Sequence, residues 1–352
     1  MVVVPPPSGA QSIQTVLVPV PGEPLPPDRL QLATEALRAD GMVILAGAIP
    51  MDVLDSLSAK MNEDMLQVSV NDGDLDFGDS NAVIGEEGKA GEERKPRDFR
   101  GIRPPPLHPH LHREIVYNAA AVRVSAALLG PEPTLMTYAT NSSFPGSAQQ
   151  GVHADCPFPA HPDHTTTNGR SPGVVLNIPL HDFTIENGAT LVYPGSHLNV
   201  DPVVIASDNV GDSNAPSDAA LASRHAVRPA EQPCPKRGDI VIRDLRLWHG
   251  GMPNRSDHPR AMLAMVHVAA DYRGPRELHY FWGFEAEETS RDFWHDSILR
   301  TSVAFLPAPI AYQSGGHSKP RTPLQLAYEH RVETGDTYIL QQQQQQQQQA
   351  KI

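Results

Sequence analysis

The sequence predicts a mainly β fold, a sandwich or barrel with flanking helices. Three observations point there. From Thr134 onward, short β-prone runs alternate with Gly, Pro and Asn punctuation. Helical periodicity is confined to the region before Gly130. The chain has 352 residues, 39% of them hydrophobic, enough for one large core, and β barrels and sandwiches often run to such lengths as single domains.

Taken in order, residues 1–27 are rich in Pro and read as a mobile N-terminus. A helix is expected from Asp28 to Asp40: Asp28 can cap it, Leu30, Ala33 and Leu37 recur at helical spacing, and Gly41 can end it. A strand, Met42 to Ala46, follows. A second helix should begin after Pro50, with Val53, Leu57, Met61 and Met65 on one face. Residues 71–99 are polar, acidic and glycine-rich, a long loop. A third helix is expected over Arg113–Leu129, stopping at Gly130. The predicted strands are then Thr134–Thr140, Gly151–Asp155, Val174–Leu180, Thr190–Tyr193, Asp239–Arg243 and Ala261–Val268. Residues 206–222 read as a surface insertion.

Residues 28–340 are thus expected to form one domain, with a β core at about 134–270 and a C-terminal segment, 271–340, that packs on it. Phe281, Trp282, Phe284, Phe293 and Trp294 are too many aromatics for a free tail; they can close a pocket or pair two subunits as a homodimer. Residues 341–352 begin with nine glutamines, which offer no apolar face and are expected to be disordered.

The formal net charge is −13 and the pI about 5.6. That balance argues against a general nucleic-acid binder, because neutralising phosphates needs clustered Lys and Arg. Two cysteines, Cys156 and Cys234, give no disulfide framework and suit a reducing compartment. No apolar run has secretory or membrane-spanning length, so the expectation is a soluble, cytoplasmic protein acting on a small molecule, with no membrane partner.

The chemistry rests on Gly151-Val152-His153-Ala154-Asp155. On a strand, alternate residues face the same side, so His153 and Asp155 can present a nitrogen and a carboxylate to one point. Alone, His-x-Asp is weak evidence and reads as a satisfied surface pair. Here Trp248-His249 follows the β-prone run Gly238-Asp239-Ile240-Val241-Ile242-Arg243, and Arg260 opens the next run. Two His and one carboxylate make the facial triad of non-haem Fe(II) oxygenases. It leaves three metal positions open, two for a chelating 2-oxo acid and one for O2. The far carboxylate of 2-oxoglutarate then needs a fixed cation, for which Arg provides a bidentate fork.

These residues carry a family resemblance. His153-x-Asp155, then Glu186-Asn187-Gly188-Ala189-Thr190 through Pro194-Gly195-Ser196-His197, then Gly238-Asp239, then His249-Gly250-Gly251-Met252-Pro253-Asn254-Arg255 through Arg260 together resemble the phytanoyl-CoA dioxygenase family, and most of all its fungal branch that tailors natural products. The likeness runs from about Gly41 to Val268. It implies a double-stranded β-helix (jelly-roll, cupin-like) core, with Fe(II), 2-oxoglutarate and O2. It carries over His153, Asp155 and His249 as metal ligands and Arg260 as the cosubstrate anchor, and suggests that Gln150 and Thr190 touch 2-oxoglutarate. Related halogenases have a small residue in place of the carboxylate ligand, so Asp155 implies oxygen chemistry. The implied outcome is hydroxylation, desaturation or oxidative rearrangement of a secondary-metabolite intermediate. An acyl-CoA is less attractive for want of a basic cluster. Two alternatives stand beside this: a jelly-roll binding protein without turnover, and a cupin-type metal-dependent hydrolase or isomerase, which would leave Arg260 unexplained.

Tyr138, Phe144 and Phe158 flank the motif and can line an apolar pocket or pack in the core. His108, His110 and His112, set among prolines, read as a surface or lid loop, as do His161 and His164. His197 reads as a structural hydrogen-bonding residue of its turn, and Cys156 is given no role.

Overall fold

A computed structural model describes residues 12–70, 99–100, 104–105, 109–156, 171–198, 215–272, 282–285, 293, 299–306, 329–333 and 336–339. In chain order the elements are β1 (Thr15–Leu17), α1 (Pro27–Asp40), β2 (Met42–Ala46), α2 (Met51–Val70), β3 (Phe99–Arg100), α3 (Arg113–Val116), α4 (Ala119–Leu129), β4 (Thr134–Thr140), β5 (Ser142–Ser143), β6 (Gly173–Pro179), β7 (Leu191–Val192), α5 (Asp218–Val227), β8 (Ile240–Asp244), β9 (His249–Gly250), β10 (Met262–Val268), β11 (Trp282–Glu285), β12 (Arg300–Leu306), β13 (Glu329–Glu333) and β14 (Asp336–Ile339).

The major sheet runs β1-β2-β8-β6-β10-β4-β12-β13-β14, with β11 beside β12. Its centre, β2 through β4, is antiparallel throughout. A smaller layer is stitched from short contacts: β7 pairs β9, His153 bridges His249, and Val192 bridges Glu231. Two such layers form the double-stranded β-helix, mainly β with flanking helices.

The register assigns each face of the major sheet. Tyr138 pairs with Met265, Met265 with Leu176, and Leu176 with Ile242. Cross-strand partners point the same way, and all four are buried in the main core with Leu37 of α1, Leu54 and Leu57 of α2 and Val124 of α4. The helices therefore cover this face. The other face carries Thr137, Ala139, Val175, Asn177, Val241, Arg243, Ala264 and Val266, linked by the pairs Ala264–Ala139, Ala264–Asn177, Asn177–Val241, Val266–Val175 and Val175–Arg243. That polar-bearing face is where a site can be built.

Several expectations are corrected. The first helix begins with Pro27, whose missing N–H costs nothing there, and Gly41 ends it in the left-handed region at φ 77°. The third helix is two: Asn118 breaks it, its side chain accepting from Ala121 N at 3.1 Å and donating to Ala48 O at 2.9 Å. Gly151–Asp155 is not a strand; only His153 makes a ladder contact. His249 Nδ1 takes the Leu247 carbonyl at 2.9 Å, and Asp155 N goes instead to Leu245 O at 2.8 Å, so the register slips. Part of the predicted 206–222 insertion is helix α5, capped by Ser217. Of the predicted loop 71–99 only Phe99 is described, and the glutamine tail lies outside the described residues.

The N-terminal expectation changes most. Thr15–Leu17 pairs parallel with Ile44–Ala46, Ile13 N donates to Glu231 Oε2 at 3.0 Å, and Ile13, Val16 and Val18 are buried. Proline density masked Val16 and Val18, which share one face of an edge strand, and Ile13, which packs in a separate cluster. Burying each contributes roughly 1.5–3 kcal/mol, an upper estimate. Deletion of residues 1–20 is therefore expected to lower Tm by roughly 8 °C or more, measured by thermal unfolding; an unchanged Tm would mean that this edge contributes nothing. At the other end, β12 pairs β4 in parallel through Arg300–Thr134 and Thr301–Leu135, so this strand joins the sheet. Among the described residues no helix is long and apolar enough to cross a membrane.

Candidate metal and cosubstrate site

His153 and His249 face each other across a reciprocal backbone pair: each amide donates to the other's carbonyl at 2.9 Å. Their rings lie 4.4 Å apart between centroids. Each ring is fixed in the same way, its Nδ1 against the carbonyl two residues earlier in its own chain: Gly151 O at 2.8 Å for His153 and Leu247 O at 2.9 Å for His249. A carbonyl oxygen only accepts, so Nδ1 is the donor in each case and Nε2 is the atom left for a metal; Arg243 Nη1 also lies 3.3 Å from His249 Nδ1, a longer approach between two donors. Asp155 Oδ1 lies 3.7 Å from His153 Nε2 and 3.6 Å from His249 Nε2. Among the described residues these three form a group of potential metal ligands, with ligand atoms all within 4.8 Å of one another.

The protonation states suit a cation. Burial, and then the charge of Arg243, push His249 down to about 3, so its imidazole is neutral near pH 7. Burial works to raise the Asp155 carboxyl, but the charge and hydrogen bond of Arg243 outweigh it and hold it well below the usual carboxylate range. The Asp155 side chain is 24% exposed, so the donor cluster is open to solvent on one side. Two imidazole nitrogens and one carboxylate fit Fe(II), with open positions left over. Cys156, next in sequence, is buried, and burial pushes its thiol up. It is a neutral packing residue among Met136, Val175, Leu245 and Val268.

Arg260 is 2% exposed. Its Nη1 donates to Gly188 O at 2.7 Å, its guanidinium lies 4.7 Å over the Phe183 ring, and its Nε has no hydrogen-bond partner. No carboxylate pairs with it among the described residues. Burial alone pushes it down to about 10, so it stays charged near pH 7. A buried cation without a counter-ion is costly unless a ligand supplies the anion. Phe183 packs with Met262, and Met262 alternates with Ala264 and Val266, so Arg260 belongs to the same face as Arg243.

Gln150 is buried and clamps the chain just after His249: its N donates to Gly251 O at 2.8 Å, and its Oε1 accepts from Gly251 N at 2.8 Å. Thr190 is half-buried and immediately precedes β7, the neighbour of β9. Tyr138 is a correction: it is fully buried on the helix-covered face and does not line the site. Phe144 is half-buried beside β5; Phe158, His108, His161 and His164 lie outside the described residues. His110 meets Ser56 Oγ at 3.3 Å and His112 precedes α3, so neither joins the triad. His197 is the structural residue expected, its Nε2 on Arg38 O at 3.1 Å.

Arg243 and Asn177 were missed. Arg243 Nη1 lies 2.5 Å from Asp155 Oδ2, and its Nε donates to Asn177 Oδ1 at 3.1 Å. The available signal was polarity out of place: a lone Arg after Ile240-Val241-Ile242, and a lone Asn within Gly173–Pro179.

Fold and donor set together define a non-haem Fe(II) oxygenase of the double-stranded β-helix class. The chain belongs to the phytanoyl-CoA dioxygenase (PhyH) family, whose model matches residues 37–262. It is similar to Dioxygenase trt7 of Aspergillus terreus, 24% identical over 240 residues, 68% of this chain and 73% of that protein. It is also similar to Dioxygenase FUM3 of Gibberella moniliformis, 29% identical over 139 residues, 39% of each chain. Among solved structures, AviO1 from Streptomyces viridochromogenes Tue57 shares the fold at TM-score 0.50 and 21% identity, covering 70% of this chain and 97% of its own. The protein is an Fe(II)- and 2-oxoglutarate-dependent dioxygenase that acts on a small molecule.

Proposed function

We propose that His153, Asp155 and His249 hold the Fe(II), that Arg260 holds the distal carboxylate of 2-oxoglutarate, and that the substrate is an apolar secondary-metabolite intermediate. The observation that carries this reading is the buried Arg260 without a counter-ion, on the sheet face that also points Arg243 at the His–Asp–His cluster. When bound, the iron and 2-oxoglutarate supply oxidation of a substrate C–H bond by O2, with succinate and CO2 as co-products.

The chain's own residues orient and exclude. Gly151 O and Leu247 O fix the two imidazoles. Gln150 has Oε1 committed to Gly251 N, which leaves its Nε2 to donate to a cosubstrate carboxylate. Thr190, whose hydroxyl makes no hydrogen bond among the described residues, is the second candidate donor. The substrate lies over a wall of small side chains, Thr137, Ala139, Val175, Ala264 and Val266. Of these, Ala264 and Val266 keep partial exposure on an otherwise buried strand. Such a wall binds by apolar contact and selects by shape. Hydroxylation, desaturation and oxidative rearrangement all begin from the same hydrogen abstraction. Two free cysteines are in keeping with a cytoplasmic setting.

The direct test loads the protein anaerobically with Fe(II) and 2-oxoglutarate, admits O2 with candidate apolar metabolites, and follows succinate and substrate mass. Turnover coupled only to charged, CoA-like substrates would overturn the substrate class. For the anchor, Arg260→Lys keeps the charge but loses the fork. The 2-oxoglutarate concentration for half-maximal rate is expected to rise about tenfold or more, as a lost charged hydrogen bond of ~1.5–3 kcal/mol implies. An unchanged requirement would remove Arg260 from the cosubstrate site.

A further inference from the structure

The two oxygens of Asp155 do different work. Oδ1 is the one nearest both imidazole Nε2 atoms, at 3.7 and 3.6 Å. Oδ2 is held by Arg243 Nη1 at 2.5 Å. Arg243 is 7% exposed and is itself fixed from behind, its Nε donating to Asn177 Oδ1 at 3.1 Å; the backbone pairs Val175–Arg243 and Asn177–Val241 set Asn177 diagonally across from it on the same face. A guanidinium braced in this way cannot easily swing aside, and it occupies the carboxylate edge that a second metal–oxygen bond would need.

We propose that Arg243 is a positioning residue that keeps Asp155 a one-oxygen ligand and thereby preserves the third open position on the metal. The proposal rests on the reading of Asp155 as a ligand. Two imidazoles and one carboxylate oxygen leave three positions of six, two for the 2-oxo acid and one for O2; a carboxylate gripping through both oxygens would leave only two. Arg243 also sets a positive charge just behind the carboxylate, which opposes a divalent cation. The site thus gives up metal affinity to keep room for its cosubstrates. Asn177, through its hold on Arg243 Nε, shares this role at one remove.

The test compares the native chain with Arg243→Met, Arg243→Lys and Asn177→Leu, titrated with Mn(II) and Co(II). In Arg243→Met the Mn(II) dissociation constant is expected to fall about tenfold or more. The visible Co(II) ligand-field spectrum should change as the carboxylate closes onto the metal, and 2-oxoglutarate should bind the Co(II) form more weakly. Arg243→Lys restores the cation and should return all three readouts toward native; a merely structural loss would not be rescued in this way. Asn177→Leu should shift them in the same direction as Arg243→Met but less. Weaker or unchanged Mn(II) binding in Arg243→Met, or an unchanged Co(II) spectrum, overturns the proposal. If Arg243→Met does not fold, Asn177→Leu decides: native metal affinity and spectrum there also overturn it. Asp155→Ala separates the two levels of the argument. If it binds Co(II) as tightly as the native chain, the ligand assignment fails; if it loses Co(II) while Arg243→Met is unchanged, only the role of Arg243 fails.

Discussion

Replacing His249 with Ala is expected to abolish succinate formation and metal binding while leaving the fold in place. His249 is 5% exposed, and its imidazole provides one of only three donor atoms in the cluster. Without it two ligands remain, and the surviving nitrogen and carboxylate cannot hold a six-coordinate ion against water. The backbone has no reason to move. The His249 amide and carbonyl stay paired with His153, and Val192 still sits beside residue 249. The side-chain losses are the Leu247 carbonyl contact, the 3.3 Å approach to Arg243 Nη1 and the packed ring, a truncation costing about 2–5 kcal/mol at a buried position. Metal-linked stabilisation gives a readout independent of turnover. At Co(II) 100-fold above its dissociation constant, the native chain should gain ~2.7 kcal/mol in unfolding free energy, and His249→Ala should gain none. Thermal melts with and without Co(II), alongside succinate release, check both halves. Turnover in the variant, or an undiminished Co(II) shift, would take His249 out of the metal site.

The parts of this molecule that obey a simple period could be read from sequence. β2, β4, β6, β8 and β10 fall within a residue or two of their expected limits, because each is an apolar run between turn residues. The candidate donors were legible for a different reason: a metal would need particular atom types in a particular order, and His153, Asp155 and His249 offer them, with Arg260 as a cation for a cosubstrate, even though the strand expected at Gly151–Asp155 does not form. Convergence there comes from tertiary contacts, with Gln150, His153 and Asp155 bonding to Gly251, His249 and Leu245, and no local pattern encodes that. Tyr138 misled because closeness in sequence to the motif says nothing about which way a strand residue faces; its partner Met265 settles the matter. Arg243 stayed hidden because its meaning depends on Asp155, far away in the chain, whose second oxygen it holds. Thr15–Leu17 was hidden because prolines on either side of a short edge strand resemble those of a flexible leader.

Gly188→Ala is expected to be the most destabilising single-methyl change near the site, and to loosen Arg260, the proposed cosubstrate anchor, as well. Gly188 lies in the left-handed region at φ +78°, and a Cβ there would stand 2.3 Å from Met252 O and 3.0 Å from the Pro253 carbonyl carbon and oxygen. Those atoms are backbone, so no side chain can turn aside. The left-handed conformation itself costs a non-glycine residue about 1–2 kcal/mol; the overlap must be relieved by moving the turn or the loop after His249. Both are held. Arg255 N donates to Glu186 O at 2.8 Å, and Asn187 is bonded to Thr184 and Asp182. A total of about 3–5 kcal/mol follows, within the range of strain at a special backbone position combined with overpacking. The functional consequence comes through the carbonyl of the same residue, which accepts from Arg260 Nη1 at 2.7 Å. If the turn shifts, the guanidinium shifts with it, and the 2-oxoglutarate requirement should rise severalfold with little change in metal affinity. Gly47→Ala is the matched control, with φ +65° and nothing within 4 Å of the added methyl. It carries the conformational cost without the overlap. Denaturant unfolding of both variants isolates the overlap as their difference. Equal destabilisation would mean that the Met252–Pro253 backbone yields freely. An unchanged 2-oxoglutarate requirement in a destabilised Gly188→Ala would mean that Arg260 is held by Phe183 and the fold around it rather than by this turn.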